Sequence, residues 1–139
     1  MTQQKILEVL TKGRGFYNLD EQIKTIVELA TVTTGVCHIF IPHTSASLLI
    51  MENWDPMVLR DLEAFMTRLV PDGDPLFQHT VEGLDDMPAH VRSALTQTAV
   101  CVPIINKKLA LGKWQGIFLW EHRLKSHRRN FIVTLISAA

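Results

Sequence analysis

The sequence is poor in cysteine, with only Cys37 and Cys101 among 139 residues and no Cys-x-x-Cys pair. Each cysteine lies inside an apolar run, GVCHIFI or AVCVPII. A free cysteine behaves as a small buried hydrophobe, and disulfides are rare in reducing compartments. The pattern therefore favours two buried, reduced thiols over a disulfide or a nucleophile, and the expected location is the cytoplasm.

Long apolar runs and an excess of charge of one sign are also missing. No stretch approaches the roughly 20 residues that a membrane span needs, and MTQQKILEVL lacks the basic and then apolar order of a signal peptide. Lys plus Arg equals Asp plus Glu, at 14 each, whereas nucleic-acid proteins usually carry a basic excess. We therefore expect neither a membrane nor a nucleic acid as a partner.

The length predicts one domain over residues 1–139, because a chain of this size buries roughly two-thirds of its unfolded surface. No repeat or linker-like stretch interrupts it. Apolar runs predict strands at residues 6–10, in VCHIFIP after Gly35, in SLLIM, and in AVCVPII, WQGIFLWEH and NFIVTLI. The last three runs are nearly continuous, which is typical of strands covered on both faces by helices or by a neighbouring subunit.

Three helices are predicted between these strands. Asp20 is expected to cap the first, Asp55-Pro56 reads as the N-cap and first position of a long second helix, and Asp86 is expected to cap a shorter helix that begins at Pro88. The residues expected to face the core recur at helical spacing: Ile23, Ile26, Val27, Ala30, Leu59, Leu62, Phe65, Met66, Leu69, Val91, Ala94 and Leu95. The predicted class is α+β, a single compact domain with a mixed or antiparallel sheet packed by helices.

The segment from His79 to His90, HTVEGLDDMPAH, is the strongest candidate for a site. It carries two imidazoles and three carboxylates in twelve residues. Such groups need partners when they are buried, so little of the segment can fill a core. A structural loop holds one or two groups of this kind, and the density of five predicts a functional site.

The residues allow two alternative sets of metal ligands. His43, His79 and His90 supply three imidazoles, the pattern of a catalytic zinc-like centre with an open position. The oxygen ligands of Glu82, Asp85 and Asp86 suit Mg²⁺ better. A divalent metal, Zn²⁺ or Mg²⁺, is therefore expected at even odds, against the alternative of hydrogen-bonded histidines. The latter fits His38 and His127 best.

The paired aspartates also have two interpretations. Their proximity predicts a raised pKa for one carboxyl, as in an acid–base pair. The alternative, which is favoured for Asp86, is that this residue merely caps the helix that follows.

Two further clusters lie at strand ends. Glu121-His122-Arg123 can orient an imidazole with a carboxylate and add a cation for an anionic substrate, with a solvated charged strand end as the equal alternative. The pair Arg128-Arg129 is expected to form a solvated turn. Candidate substrate-binding residues come from HTSAS and ENWDP: Thr44, Ser45, Ser47, Glu52 and Asn53. No Gly-x-Ser-x-Gly elbow and no P-loop occurs, which argues against a nucleophilic serine and a nucleotide loop.

Taken together and in this order, the clusters resemble the YjbQ family. The matching segments span nearly the whole chain: RGF (14–16), HTSAS (43–47), ENWDP (52–56), Asp61, HTVEGLDDMPAH (79–90), LGKWQGIFLWEHR (111–123) and the final arginine pair. Two departures are Lys113, where relatives often carry threonine, and an Asn106-Lys107-Lys108 turn without the glycine frequently found there.

The resemblance implies a compact α+β fold assembled as a homotrimer, with a polar cleft near subunit boundaries. It also implies a secondary thiamine-phosphate synthase activity, which joins hydroxymethylpyrimidine diphosphate to thiazole phosphate and releases pyrophosphate, and a metal ion on His43, His79 and His90. The leading hypothesis is thus a transferase acting on phosphorylated small molecules. The expected catalytic residues are Asp85, Asp86 and Glu121 for protons, with His122 and Arg123 for phosphate oxygens. The alternatives are a metal-dependent hydrolase and a non-catalytic metabolite-binding protein.

Overall fold

Eight strands and three helices make up the computed structural model, which describes residues 2–138. In chain order they are β1 (Thr2–Leu10), β2 (Gly15–Asn18), α1 (Asp20–Leu29), β3 (Thr34–Phe40), β4 (Ala46–Glu52), α2 (Pro56–Leu69), α3 (Asp86–Leu95), β5 (Ala99–Ile105), β6 (Lys108–Leu109), β7 (Gln115–Glu121) and β8 (Arg128–Ser137). The predicted α+β class is confirmed, and each of the six apolar runs predicted as strands forms one. No helix among residues 2–138 is long and apolar enough to cross a membrane.

The strands form two sheets, and every pairing between them is antiparallel. The larger sheet has the order β1-β8-β3-β5-β6 and the smaller one β2-β7-β4. Of the two predicted options, mixed or antiparallel, the antiparallel one is therefore observed. The main core lies between the inner faces of these sheets and α1, where Ile23, Ile39, Leu48, Leu119 and Phe131 are fully buried.

Strand β7 is covered on both faces, as its continuous apolar run predicts. Ile117 and Leu119 face the main core, while Trp120 lies in a second cluster with Met66 and Val70 from the region of α2. Strands β5 and β8 instead alternate between buried and exposed residues. Within residues 2–138 no helix covers the outer face of the larger sheet, so coverage of these two strands by helices is not observed, and coverage by a neighbouring subunit stays a prediction. That alternation leaves Cys101 exposed, so the predicted burial is wrong for this thiol.

Cys37 is buried on the opposite face, and neither cysteine forms a disulfide. Burial, with a smaller contribution from the nearby Cys101, raises the pKa of the Cys37 thiol to about 12. Both cysteines are free, as predicted, and the Cys37 thiol stays protonated at neutral pH.

Helix α1 begins at Asp20, but the Asp20 side chain does not cap it. Its Oδ1 atom instead accepts the backbone N–H of Ile117 at 2.8 Å, which ties the start of the helix to the middle of β7. The predicted cap is therefore wrong, because a long-range backbone donor takes the carboxylate. The predicted inner residues Ile23, Ile26, Val27 and Ala30 are all buried.

Helix α2 begins as the sequence predicts. Asp55 accepts the N–H of Met57 at 2.9 Å, and Pro56 occupies the first helical position. Its inner face is narrower than predicted, since Met66 is the buried residue while Phe65 and Leu69 are more than half exposed. The helix packs on one side of a small sheet, so half of its apolar stripe lies outside that contact.

Helix α3 begins at Asp86, two residues before the predicted start at Pro88. Its buried face carries Asp86, Pro88, Ala89 and Arg92, whereas Ala94 and Leu95 are exposed. The inward orientation predicted for Ala94 and Leu95 is wrong. A polar helix face can be buried here because each of its charged groups has a partner of opposite charge.

Candidate functional site

Three side chains of the HTVEGLDDMPAH segment converge on one point. The Oδ2 atom of Asp86 lies 2.7 Å from Nε2 of His79 and 3.1 Å from Nε2 of His90. The three donor atoms lie within 4.8 Å of one another. Asp86 is buried, His90 is partly buried and His79 is exposed, so the cluster opens to solvent on one side.

Local structure explains this convergence. Asp86 and His90 are four residues apart in α3, a spacing that places side chains on the same helix face. His79 comes from the loop before the helix, and Gly83 in that loop has a φ of 110°, which favours glycine. The sequence could predict that the segment forms a site, but not that His79 folds back onto the first turn of α3.

The orientation of the His90 ring is set by Thr44. The Nδ1 atom of His90 lies 2.8 Å from the carbonyl oxygen of Thr44. Because a carbonyl only accepts hydrogen bonds, Nδ1 carries the proton, and Nε2 of the neutral ring has its lone pair directed at the Asp86 carboxylate. Two acceptors at this distance repel each other unless a proton or a cation lies between them. The geometry thus favours a proton or a metal cation between Nε2 of His90 and the Asp86 carboxylate.

Arg123 binds both aspartates of the segment. Its Nε atom lies 2.9 Å from Oδ2 of Asp85 and its Nη1 atom 2.8 Å from Oδ1 of Asp86, while Nη2 donates to the carbonyl oxygen of Glu82. Asp85 also accepts the N–H of Leu124 at 2.9 Å. Arg123 is therefore a positioning residue that fixes the second oxygen of Asp86.

These contacts decide the ionisation of the two carboxyls. Burial alone would raise the pKa of Asp86, but hydrogen bonds and charges from His79, His90 and Arg123 outweigh it and hold that pKa below its usual value. The pKa of Asp85 is lowered in the same way, with burial opposed mainly by Arg123. The predicted raised pKa is wrong, because the Arg123 guanidinium lies between the two aspartates and forms an ion pair with each of them. The predicted cap by Asp86 is also wrong, since Asp85 occupies the N-cap position and the Asp86 carboxylate contacts His79, His90 and Arg123 instead.

His43 does not join the cluster. Its Nε2 atom accepts the backbone N–H of Asn130 at 2.9 Å. Burial and the positive charge of Arg129 lower the pKa of His43, which keeps the ring neutral as an acceptor. Within residues 2–138, the cluster of side chains that could hold a metal ion consists of His79, Asp86 and His90. Two of the three predicted histidine ligands therefore lie together, and the third candidate donor beside them is Asp86, the residue for which the sequence favours a helix cap.

Glu121 lies in a buried network rather than at a solvent-accessible surface. Its carboxylate is fully buried and forms a two-point ion pair with Arg129, whose Nε atom lies 2.8 Å from Oε1. Thr11 donates to the same oxygen at 2.7 Å. The pKa of Glu121 is lowered because Arg129 and Thr11 outweigh the opposing effect of burial. The solvated turn predicted for Arg129 is wrong, although the neighbouring Arg128 is exposed.

His122 is also fully buried, and its Nε2 atom lies 2.8 Å from the Ser47 hydroxyl. Burial and the charges of Arg92, Arg14 and Arg129 lower the pKa of His122 to about 3, so the ring is neutral. Full burial does not fit the catalytic contacts predicted for Glu121 and His122. The charged strand end faces inward because Arg129 neutralises Glu121 there, and both residues support the scaffold under the cluster.

The predicted substrate-binding residues fall into two separate groups. Thr44 is exposed beside His90, whereas Ser45 is buried and its hydroxyl oxygen accepts a hydrogen bond from Nη2 of Arg129 at 3.0 Å. Glu52 and Asn53 lie at the other end of the β4–β7 pair, six residues along β4 from Ala46. At about 3.3 Å per residue, the two groups are roughly 20 Å apart. Within one chain, the HTSAS and ENWDP segments therefore do not form a single site.

The sequence does not predict several ion pairs that lie near the site. Arg92 is fully buried in α3, with Nη1 2.9 Å from Oε2 of Glu63, and Glu63 also accepts the indole N–H of Trp120. Arg14 donates to the carbonyl oxygen of His122 and pairs with Asp72 at 2.8 Å. The partners in these pairs are 29 and 58 residues apart in sequence, so no short motif contains both members of a pair. Arg14 is part of the RGF segment that carries the family resemblance, and this is its only sequence signal.

The donors of the cluster fit a divalent metal. Two imidazole nitrogens and one carboxylate oxygen are a common protein ligand set for Zn²⁺ with a further position open. The Thr44 carbonyl on the other nitrogen of His90 is the kind of outer contact that orients a ligating histidine. The alternative oxygen set for Mg²⁺ fits less well, because Arg123 occupies the Asp85 carboxylate and Glu82 contributes only its carbonyl to Arg123.

Comparisons with known proteins point to one family. The family described as "UPF0047 protein YjbQ-like" matches residues 5–138. A UPF0047 protein of Synechocystis is 52% identical over 94% of this chain and 88% of its own, and the YjbQ protein of Escherichia coli O157:H7 is 40% identical over 97% and 98%. A solved YjbQ/UPF0047-family structure from Clostridium acetobutylicum has a TM-score of 0.83 at 32% identity, covering 96% of this chain and 98% of its own. The chain therefore belongs to the YjbQ/UPF0047 family.

Proposed function

We propose that the protein is a metal-dependent transferase with thiamine-phosphate synthase activity as a side reaction. The observation that carries the proposal is the convergence of His79, Asp86 and His90 on one solvent-facing point, with Arg123 fixed behind Asp86. A divalent ion held at this point would suit a reaction in which negative charge develops on a leaving diphosphate. The native substrates are expected to be phosphorylated small molecules of the same type.

The reaction makes one bond and breaks one bond. The thiazole nitrogen uses its lone pair to form a bond to the methylene carbon of the hydroxymethylpyrimidine group. The bond from that carbon to the diphosphate oxygen breaks, and pyrophosphate leaves with the electron pair. The nitrogen becomes a cation and loses no proton, so the step needs charge stabilisation rather than a general base.

That requirement agrees with what the side chains offer. A metal ion bound to the cluster would supply a Lewis acid for the diphosphate oxygens. Asp86 and His90 are held in position by Arg123 and the Thr44 carbonyl, and the Thr44 hydroxyl is exposed beside them. The buried Glu121 and His122 keep this scaffold rigid, and the reaction requires no acid–base contact from either of them.

We further propose that the protein assembles as a homotrimer through the outer face of the larger sheet. Ile6 and Ile132 are direct partners across β1 and β8, and Phe40 pairs with Ile132 from the other side. Ile6 is 69% exposed and Ile136 46%. Exposed apolar side chains thus lie on both sides of the Gln4–Thr134 hydrogen bond on this face, and such clusters are typical of an interaction surface.

The trimer is tested by light scattering on the eluting protein. The wild type is expected to have three times the mass of one chain, and Ile6→Glu combined with Ile136→Glu is expected to give the mass of one chain. Leu76→Glu is a matched control, because Leu76 is 85% exposed in the loop before α3. A monomeric wild type would contradict the proposal.

The activity is tested with purified protein, both substrates and added Zn²⁺ or Mg²⁺. We expect pyrophosphate to be released only when both substrates are present, together with the coupled product. His90→Ala should abolish turnover, whereas the control His127→Ala should retain it, since His127 lies outside the cluster and bonds the Lys125 carbonyl. Full activity in His90→Ala would contradict the assigned site.

A metal-dependent hydrolase is the second candidate, because two histidines and one aspartate with an open position are also a hydrolase ligand set. It predicts that phosphate or pyrophosphate is released from one phosphorylated substrate alone and that water is the second reactant. Binding of the substrates without any turnover would instead favour the metabolite-binding alternative.

A further inference from the structure

A separate cavity of about 330 Å³ lies at the opposite end of β7 from the histidine cluster. Its floor is apolar, formed by Val27 of α1 with Leu109 and Leu111 of the β6 region. Its rim carries Lys24, Lys107, Lys108 and Lys113, four of the seven lysines of the chain. A chain with no net charge has thus gathered most of its lysines around one small cavity.

These ammonium groups are not paired with carboxylates. In the part of the chain that the structure describes, the ion pairs involve arginines and histidines, and none within 4.0 Å involves these four lysines. Glu28 is the single acidic residue on the rim, which leaves a net charge of +3 around the cavity. Like charges brought together at this density repel each other, and an anionic ligand relieves that repulsion.

Two of the lysines are placed there by a constrained turn. Ile105 pairs with Lys108, so Asn106 and Lys107 form a two-residue hairpin connection, and their φ angles are 50° and 68°. Both positions favour glycine in such a turn, and a lysine there bears backbone strain. Strain of this kind is typical of positions where the side chain has a function. The lysine thus supplies an ammonium group at a place where glycine would fold more easily.

We propose that this cavity binds a small molecule carrying two phosphate groups or a diphosphate. Two phosphates carry roughly 3 to 4 negative charges at neutral pH, taking about 1.5 to 2 for each, which matches the net charge of the rim. The volume is in the range of small-molecule sites. The apolar floor at Val27 and Leu109 accommodates an uncharged body attached to the phosphates.

The site is distinct from the histidine cluster. Gln115, at the start of β7, lines the cavity. Glu121 ends the same strand, two residues before Arg123, which contacts Asp86 of the cluster. The seven residues of β7 separate the two places by roughly 20 Å. The inference therefore does not depend on the proposed reaction, and its test requires no turnover.

Binding is measured by titrating the full-length protein with inorganic pyrophosphate in the presence of EDTA, which keeps metal from the histidine cluster. Trp114 serves as the reporter, because the Lys113 ammonium lies 4.8 Å from the centre of its ring. We expect a saturable change in tryptophan fluorescence that is lost in Trp114→Phe, with calorimetry giving the same affinity. Inorganic phosphate should bind at least about fivefold more weakly, since it engages fewer of the four cations.

The decisive comparison uses two triple variants with the same change of charge. Lys24→Gln, Lys107→Gln and Lys108→Gln together should weaken pyrophosphate binding at least about tenfold, as expected when three charge-assisted contacts are lost. Lys5→Gln, Lys12→Gln and Lys125→Gln, which lie outside the cavity, should change it less than about twofold. Equal weakening in both sets, or no saturable binding by the wild type, would overturn the proposal.

Lys107→Gly separates folding from binding. Glycine relieves the positive φ at this position, so the urea midpoint should stay the same or rise. Pyrophosphate binding should nevertheless fall by at least about threefold, because one of the four cations is lost. Unchanged binding in this variant would show that Lys107 takes no part in the site.

Discussion

His90 donates a hydrogen bond from Nδ1 to the carbonyl oxygen of Thr44 at 2.8 Å, and this bond directs its Nε2 atom at Asp86. The contact links the loop before β4 to the first turns of α3. In the neutral ring, the Nε2 lone pair faces an ionised carboxylate, an arrangement that a proton or a bound cation between the two atoms satisfies. A backbone carbonyl thus fixes which nitrogen of the neutral His90 ring carries the proton.

Replacing Asp86 with asparagine should weaken metal binding. The variant loses the negative oxygen shared by His79 and His90, and we expect the affinity for Zn²⁺ to fall by about 100-fold or more, since outer contacts alone contribute 10- to 100-fold. Isothermal titration calorimetry measures the change. Asp61→Asn is the matched control, because Asp61 is exposed on α2. Equal affinities in the two variants would contradict the assigned ligands.

Breaking the buried ion pair between Glu121 and Arg129 should destabilise the fold. Arg129→Met leaves the fully buried Glu121 carboxylate without its cation, a loss of about 3 to 5 kcal/mol in the free energy of unfolding. Arg128→Met, next to it and exposed, should change stability by less than about 0.5 kcal/mol. Urea denaturation compares the two, and similar midpoints would show that the pair contributes little.

Stability should fall in mild acid because of His122. The pKa of this residue is lowered to about 3 in the fold, whereas the unfolded chain takes up a proton near the usual histidine value of about 6.5. Between these values the unfolded state binds more protons, so stability is complete above about pH 6.5 and is lost as the pH falls. The slope from this one group is at most about 1.4 kcal/mol per pH unit.

The comparison for this prediction is His122→Gln, whose amide can still bond Ser47. The slope of unfolding free energy against pH between 5 and 6.5 should be smaller in the variant than in the wild type. Carboxylates with lowered pKa values, such as Glu121, act in the same direction at lower pH but are common to both proteins. Parallel slopes would contradict the assigned burial of a neutral ring.

Gly35→Ala should be strongly destabilising. A Cβ atom at this position would lie 2.0 Å from the backbone oxygen of Ile136 on the paired strand, so the two strands must separate locally. We expect a loss of about 2 to 3 kcal/mol, as for other overpacked positions. Gly112→Ala is the control, since its Cβ would meet only the flexible Gln115 side chain at 3.2 Å. Thermal or urea unfolding distinguishes them.

Sequence patterns within one helix or strand predict the elements of the fold well. They fail where a side chain binds a group that is distant in sequence. The Asp55-Pro56 cap succeeded because all of its atoms lie within one helical turn. The Asp20 cap failed because its carboxylate binds a backbone N–H that is 97 residues away in sequence. Sequence spacing cannot reveal which of two partners a carboxylate will take when one of them is brought near only by the folded sheets.

The candidate site shows the same division. The density of polar groups between His79 and His90 predicted where the site lies, and two of the three proposed metal ligands come together there. His43 was a poor prediction for the third, because an exposed backbone N–H at Asn130 occupies it. The burial of Glu121 depends on Arg129, and a pattern of charged residues at a strand end does not reveal which of them faces inward.

Anomalous diffraction from crystals grown with Zn²⁺ tests the central claim, that His79, Asp86 and His90 form a metal centre. Data on either side of the zinc absorption edge locate the ion without reference to activity. We predict one anomalous peak at about 2.0 to 2.2 Å from Nε2 of His79, Nε2 of His90 and a carboxylate oxygen of Asp86. Crystals that contain zinc elsewhere or nowhere, with His90 still in direct contact with Asp86, would contradict it.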